Sequence, residues 1–202
     1  MMIELKVLQA VRLKGRVQPA DVATTTGEAP GTIADAITAA TQAGYLVESK
    51  TIRLSIEGRS RLSELLADER AGTDGAAIAA AYDDFRNVNA EFKALVSDWQ
   101  LKDGEPNSHE DKDYDGAILS RLAAVHQQVR PIIGRIAVEV PRLSGYSDKL
   151  EAALAKVQAG DLPWLTRPIM DSYHTVWFEL HEELILAAGL TREAEAQAGH
   201  AN

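Results

Sequence analysis

Apolar residues recur every three or four positions through residues 3–14. Leu5, Leu8 and either Val7 or Val11 share one face there, which predicts a helix that Gly15 stops. Pro19 stands where a first helical residue would, so a short helix is expected over residues 20–26, ended by Gly27. A third helix opens near Pro30 and ends at Gly44, with Ile33, Ile37 and Ala40 inward. The pattern then changes from helical to β-prone. Residues 45–47 and 51–54 read as two short strands joined by Glu48-Ser49-Lys50. Ser55 is placed to cap a fourth helix over residues 56–70.

Residues 71–75 read as a linker, and four longer amphipathic patterns follow. The first covers residues 76–99, with Ile78, Tyr82, Phe85, Phe92, Leu95 and Trp99 on one stripe. A polar loop fills residues 100–112. The second pattern, residues 113–140, turns Ile118, Leu122, Val125, Val129, Ile132 and Ile136 inward and should kink at Pro131. The third covers residues 147–159, and the fourth runs from Pro168 to Ala188. The expected fold class is therefore mainly α. Residues 1–72 form a winged helix-turn-helix domain with a small β-hairpin wing, because helix, short helix, helix, hairpin, helix is that fold's order. Residues 73–202 form a C-terminal four-helix bundle-like domain.

Charge divides along the same boundary. Of 21 basic and 30 acidic residues, nine of each lie in residues 1–72, so the net charge of −9 sits entirely in the rest. An acidic surface repels phosphate, which confines any nucleic-acid contact to the first domain. The chain has no cysteine, which excludes disulfides, thiolate metal sites and cysteine nucleophiles. No apolar run has membrane-spanning length, and the start Met-Met-Ile-Glu-Leu-Lys lacks the features of a signal peptide, so a cytoplasmic protein without a membrane partner is expected.

Three segments of the first domain carry a resemblance: Leu13-Lys-Gly-Arg-Val-Gln-Pro-Ala-Asp-Val-Ala, Gly44-Tyr45-Leu46-Val47, and Leu54-Ser-Ile-Glu-Gly-Arg. They resemble the winged-helix domains of MarR-like bacterial regulators, over about a third of the chain. The resemblance implies a DNA-binding regulator whose third helix enters the major groove. In the second domain, Phe92-Lys-Ala-Leu-Val-Ser-Asp-Trp-Gln100 and Asp171-Ser-Tyr-His-Thr-Val-Trp-Phe-Glu-Leu-His-Glu resemble a domain of actinobacterial proteins of uncertain role. Similar segments accompany phosphoenolpyruvate-using phosphotransfer enzymes, but no catalytic residue of that group is matched here. No phosphate loop or nucleophile elbow is present, so no enzyme activity, catalytic residue or cofactor is expected.

Base reading favours Arg, Lys, Asn and Gln, yet residues 28–43 hold no Arg or Lys and do hold Glu28 and Asp35. The face expected to be exposed is Thr32, Asp35, Ala36, Thr38, Ala39 and Gln42. The DNA-binding candidates are therefore Lys14, Arg16, Lys50 and Arg53 for the phosphate backbone, with Thr32 near the helix start; Arg59 and Arg61 are further nearby cations. The alternative is a winged helix that docks protein instead of DNA.

Two further clusters carry chemistry. Asp111-Lys-Asp113-Tyr-Asp115-Gly116 matches the first half of a calcium loop, but the closing ligand position falls on Leu122; capping of the following helix is the competing reading. On the last helix, Tyr173, Val176, Trp177, Leu180 and Leu184 form one inward stripe, and His174, Phe178, His181 and Ile185 form an adjoining one. Ser172, Thr175, Glu179, Glu182 and Glu183 are expected to face water. His174 and His181 lie two turns apart, about 10 Å along the axis, too far for one metal ion. His126, Tyr173, His174, Trp177 and His181 are the candidate ligand pocket for an acidic small-molecule effector, against the plainer reading of hydrogen-bonded core histidines. Both histidines of the last helix are expected to be buried, at least one of them bonded to a carboxylate or carbonyl. The partners implied are DNA, a small-molecule effector and a second copy of the chain.

Overall fold

A computed structural model describes residues 2–200. The chain is mainly helical and divides into two compact units, Met1–Thr73 and Asp74–Asn202.

In the first unit α1 (Met2–Lys14), α2 (Pro19–Thr26) and α3 (Pro30–Gln42) pack on one another, β1 (Leu46–Glu48) pairs antiparallel with β2 (Ile52–Leu54), and α4 (Ile56–Ala71) returns against α1. Val7, Leu8, Val11, Val22, Ile33, Ile37, Leu46, Ile52, Leu62 and Leu65 form its core. Ser55 caps α4 by accepting from the Gly58 amide at 2.8 Å, and its hydroxyl also donates to the Gly44 carbonyl at 2.7 Å. Gly58 is required for packing: a Cβ there would lie 2.0 Å from the Tyr45 carbonyl oxygen. Arg61 holds α4 to α1 by a two-pronged bond to Glu4, at 2.9 and 3.2 Å.

In the second unit α5 (Gly75–Gln100) pairs most extensively with α6 (Lys112–Glu139). After a 3-10 turn at Pro141–Leu143, α7 (Gly145–Gln158) packs on α6, the four-residue α8 (Pro163–Thr166) packs on α7, and α9 (Tyr173–Ala187) packs against α5, α7 and α8. The short α10 (Arg192–Gln197) folds back on α9. Phe85, Phe92, Leu95, Leu122, Val129, Leu143, Leu150, Val176 and Leu184 are among the fully buried core residues. α6 runs through Pro131 as one helix.

Besides the 3-10 turn and α8, which the apolar pattern does not predict, three elements differ from the sequence reading. The loop at residues 100–112 contains a ribbon, β3 (Leu101–Lys102) with β4 (Glu105–Pro106). Asp103 and Gly104, at φ 54° and 85°, supply the turn that tight hairpins need, and Asp-Gly is its usual signature. The last long helix begins at Tyr173 instead of Pro168, because Ser172 caps it by accepting from the Thr175 amide at 3.3 Å. Finally, α10 was not expected. No helix among the described residues is long and apolar enough to cross a membrane.

Candidate functional site

The first candidate site is assembled by a backbone pairing outside the hairpin. Val17 and Ile52 form an antiparallel bridge, with N–H to O distances of 3.2 and 2.8 Å, and both side chains are buried. Side chains alternate along extended chain. Arg16 and Arg53 are the residues next to that bridge in each segment, and both are exposed. Gln18 adds a bond from its side-chain amide to the Lys50 carbonyl at 2.8 Å, which places exposed Lys50 at the same edge. Three exposed cations from two distant segments thus flank these contacts, and Lys14 is half-buried at the end of α1. Arg59 is exposed, but Arg61 is committed to Glu4 and Glu64 and so is a clamp within the fold. On α3, Thr32, Ala34, Asp35, Thr38, Ala39 and Gln42 are exposed, whereas Ala36 is only half-exposed.

The second candidate site lies in the helical unit, where α5 and α9 face each other across an aromatic core. Trp177 stacks between Phe92 at 4.3 Å and Phe85 at 5.2 Å between ring centres. Each such contact contributes about 0.5–1.5 kcal/mol beyond area burial. The Trp177 indole donates to Asn89 Oδ1 at 2.9 Å, and Asn89 in turn donates to the His200 carbonyl at 3.1 Å. Trp177 is therefore a core residue with a satisfied indole.

A polar chain runs beside this stack. Tyr82 donates to Glu195 Oε2 at 2.7 Å, so its oxygen accepts from His181 Nε2 at 3.1 Å, which fixes the neutral Nε2–H form of that imidazole. Arg86 grips Glu195 in a fork, Nε to Oε2 at 3.1 Å and the terminal nitrogen to Oε1 at 2.6 Å. Burial pushes His181 down to about 4 and raises Tyr82. Burial alone would raise Glu195, but the bonds from Arg86 and Tyr82 outweigh it and hold the carboxyl below its ordinary value.

His126 belongs to a separate pair. It is buried, its Nε2 donates to Glu151 at 3.0 Å, and its Nδ1 accepts from the Tyr173 hydroxyl at 3.2 Å. The structure therefore joins His126 to Tyr173 and joins His181 to Tyr82.

Several expectations are corrected. His174 is exposed and merely leans on Phe92, 5.9 Å between ring centres. Phe178, assigned to the same inward stripe, is 43% exposed and lies under the Arg192 guanidinium at 4.7 Å. His181 and Ile185, further along that stripe, are buried, because α10 folds back over this end of α9. The partner of His181 is a phenol instead of a carboxylate or carbonyl. Ser172, Glu179, Glu182 and Glu183 are buried instead of solvated, and Thr175 is half-buried. Arg142 pairs with Glu183 at 2.6 Å, and Arg192 pairs with Glu182. These cations come from the 3-10 turn and from α10, so helix spacing on α9 gave no sign of them.

In the calcium-like segment, Asp111 caps α6 through the Tyr114 amide at 3.0 Å and pairs with Lys102 at 2.6 Å. Asp115 accepts from Asn107 at 3.0 Å and contacts His109 Nδ1 at 3.1 Å. Among the described residues no group of three or more His, Asp or Glu side chains is placed to hold a metal ion.

Sequence reasoning missed Arg86, Asn89 and Glu195. The signal for Arg86 was present: Tyr82 and Arg86 are four apart on one helix, and a buried Tyr hydroxyl needs a polar partner. Nothing in the sequence pointed to Glu195. No family model, curated protein or solved structure matches the chain.

Proposed function

We propose that the chain is a MarR-like winged-helix transcriptional regulator: residues 1–72 contact DNA, and the acidic four-helix bundle-like unit serves dimerisation or small-molecule sensing. The observation that carries this reading is the exposed Arg16–Lys50–Arg53 cluster, assembled by the Val17–Ile52 pairing at the edge of the hairpin. Two cations on the hairpin and one on the segment bridged to it are suited to the phosphate backbone. With Thr32, Thr38 and Gln42 as the exposed polar groups of α3 and no basic residue on it, direct base readout contributes little. Affinity then comes mainly from phosphate contacts and depends steeply on salt. A cytoplasmic location follows from this role.

The test is a mobility-shift titration of folded protein against fragments of its own genome at low ionic strength. Retarded complexes support the reading. No retardation at micromolar protein counts against it and favours the second reading, a winged helix that docks protein, possessed of the surface that Ala34, Asp35 and Ala39 give α3.

A further inference from the structure

α10 is anchored in an unusual way. Its sequence is Arg-Glu-Ala-Glu-Ala-Gln, it has no apolar stripe, and its buried residue is a carboxylate, Glu195. Its other ties are polar or cationic: Arg192 pairs with Glu182 and covers Phe178, and the His200 carbonyl beyond it accepts from Asn89. The groups that receive Glu195 belong to other elements. Arg86 and Tyr82 stand on α5 and His181 on α9, all within the long-helix core. Arg86 is oriented by Asp83 at 2.7 Å and lies over the Tyr82 ring at 4.6 Å. Tyr82 is oriented by His181. Phe85, fully buried, backs the His181 ring at 5.3 Å between centres. A guanidinium fork plus a phenol is a strong arrangement for recognising one carboxylate end-on. The donors are held by contacts that do not involve α10.

We propose that the Arg86–Tyr82 pair, with His181 behind it, is a binding site for a small monocarboxylate, and that Glu195 is its built-in occupant. An arriving carboxylate displaces Glu195 and releases α10 from the bundle. Both states keep one ionised carboxylate in the fork, so exchange strands no buried cation. The tethered occupant has a high effective concentration, so the free molecule displaces it only well above the concentration that fills the fork once Glu195 is removed. This inference specifies the ligand class for the sensing role proposed above. Its test reads the helical unit alone, so its failure is distinguishable from failure to bind DNA.

The probe is propionate, which reproduces the end of a glutamate side chain, with propionamide as the uncharged control at matched ionic strength. In full-length Glu195→Ala, propionate should raise the thermal midpoint saturably and propionamide should not. Adding Arg86→Gln should weaken that propionate effect at least about tenfold. Equal effects of propionate and propionamide, or an undiminished effect without Arg86, overturn the proposal. If Glu195→Ala does not fold, Glu195→Gln serves, because it keeps the occupant's shape and removes its charge: propionate should raise its thermal midpoint and propionamide should not, and equal effects overturn the proposal.

Discussion

Lowering the pH should destabilise the helical unit through His181. The imidazole ionises near 6.5 in an unfolded chain and is pushed down to about 4 in the fold by burial. Between those values the unfolded state binds a proton that the folded state refuses. The contribution is therefore fully present above the unfolded value and is lost as pH falls from there toward the folded one. Going from about pH 7.5 to about pH 5 should cost about 2 kcal/mol from this group. Glu195 acts in the same direction but lower, since its depressed carboxyl releases its stabilisation only as pH falls through its folded value. The facing groups are Tyr82 and Lys93 on α5, Glu182 on α9, and Arg192 and Glu195 on α10. All three tryptophans, Trp99, Trp164 and Trp177, lie in this unit, so denaturant melts followed by tryptophan fluorescence report on it selectively. The comparison is wild type against His181→Gln at both pH values. The variant should lose about 2 kcal/mol less than wild type over the interval. Parallel losses in the two proteins would refute the burial of a neutral His181 bonded to Tyr82.

Three further outcomes follow from packing and assembly. Gly58→Ala should destabilise the first unit by at least about 1–3 kcal/mol, read by far-ultraviolet circular dichroism, although alanine favours helix; a stabilised variant would contradict the close approach to Tyr45. Arg142→Ala should cost about 3–5 kcal/mol by leaving Glu183 buried without that partner, whereas Arg142→Leu with Glu183→Leu should cost much less; equal costs in chemical denaturation would contradict a buried ion pair. Sedimentation at micromolar concentration should give a dimer mass, because two-fold regulators read paired half-sites; a strict monomer would remove that support from the regulator reading.

Local chemistry was legible wherever the controlling atoms are close in sequence. Ser55, Gly15, Gly27 and Pro30 mark helix ends by their own backbone and side-chain chemistry, and the inward positions of α3, α5 and α6 follow from apolar spacing. The Asp103-Gly104 hairpin was equally legible but was read as a plain polar loop. The cations Arg16, Lys50 and Arg53 were identifiable one by one, yet their common edge depends on the long-range pairing of Val17 with Ile52. On α9 the inference failed for a physical reason. Glutamates normally face water, but Arg142 and Arg192 arrive from outside the helix and make burial of Glu183 and Glu182 tolerable. The return of α10 also splits one stripe, leaving His174 in solvent and burying His181.

The central claim, DNA contact through the wing cations, is tested most directly by the salt dependence of binding. Fluorescence anisotropy on a random duplex, repeated across ionic strengths, yields the number of phosphates neutralised. Replacing Arg16, Lys50 and Arg53 together by alanine should weaken binding to all sequences alike and reduce the slope of log affinity against log salt by about three per bound copy. Identical slopes for wild type and the triple variant would contradict the account.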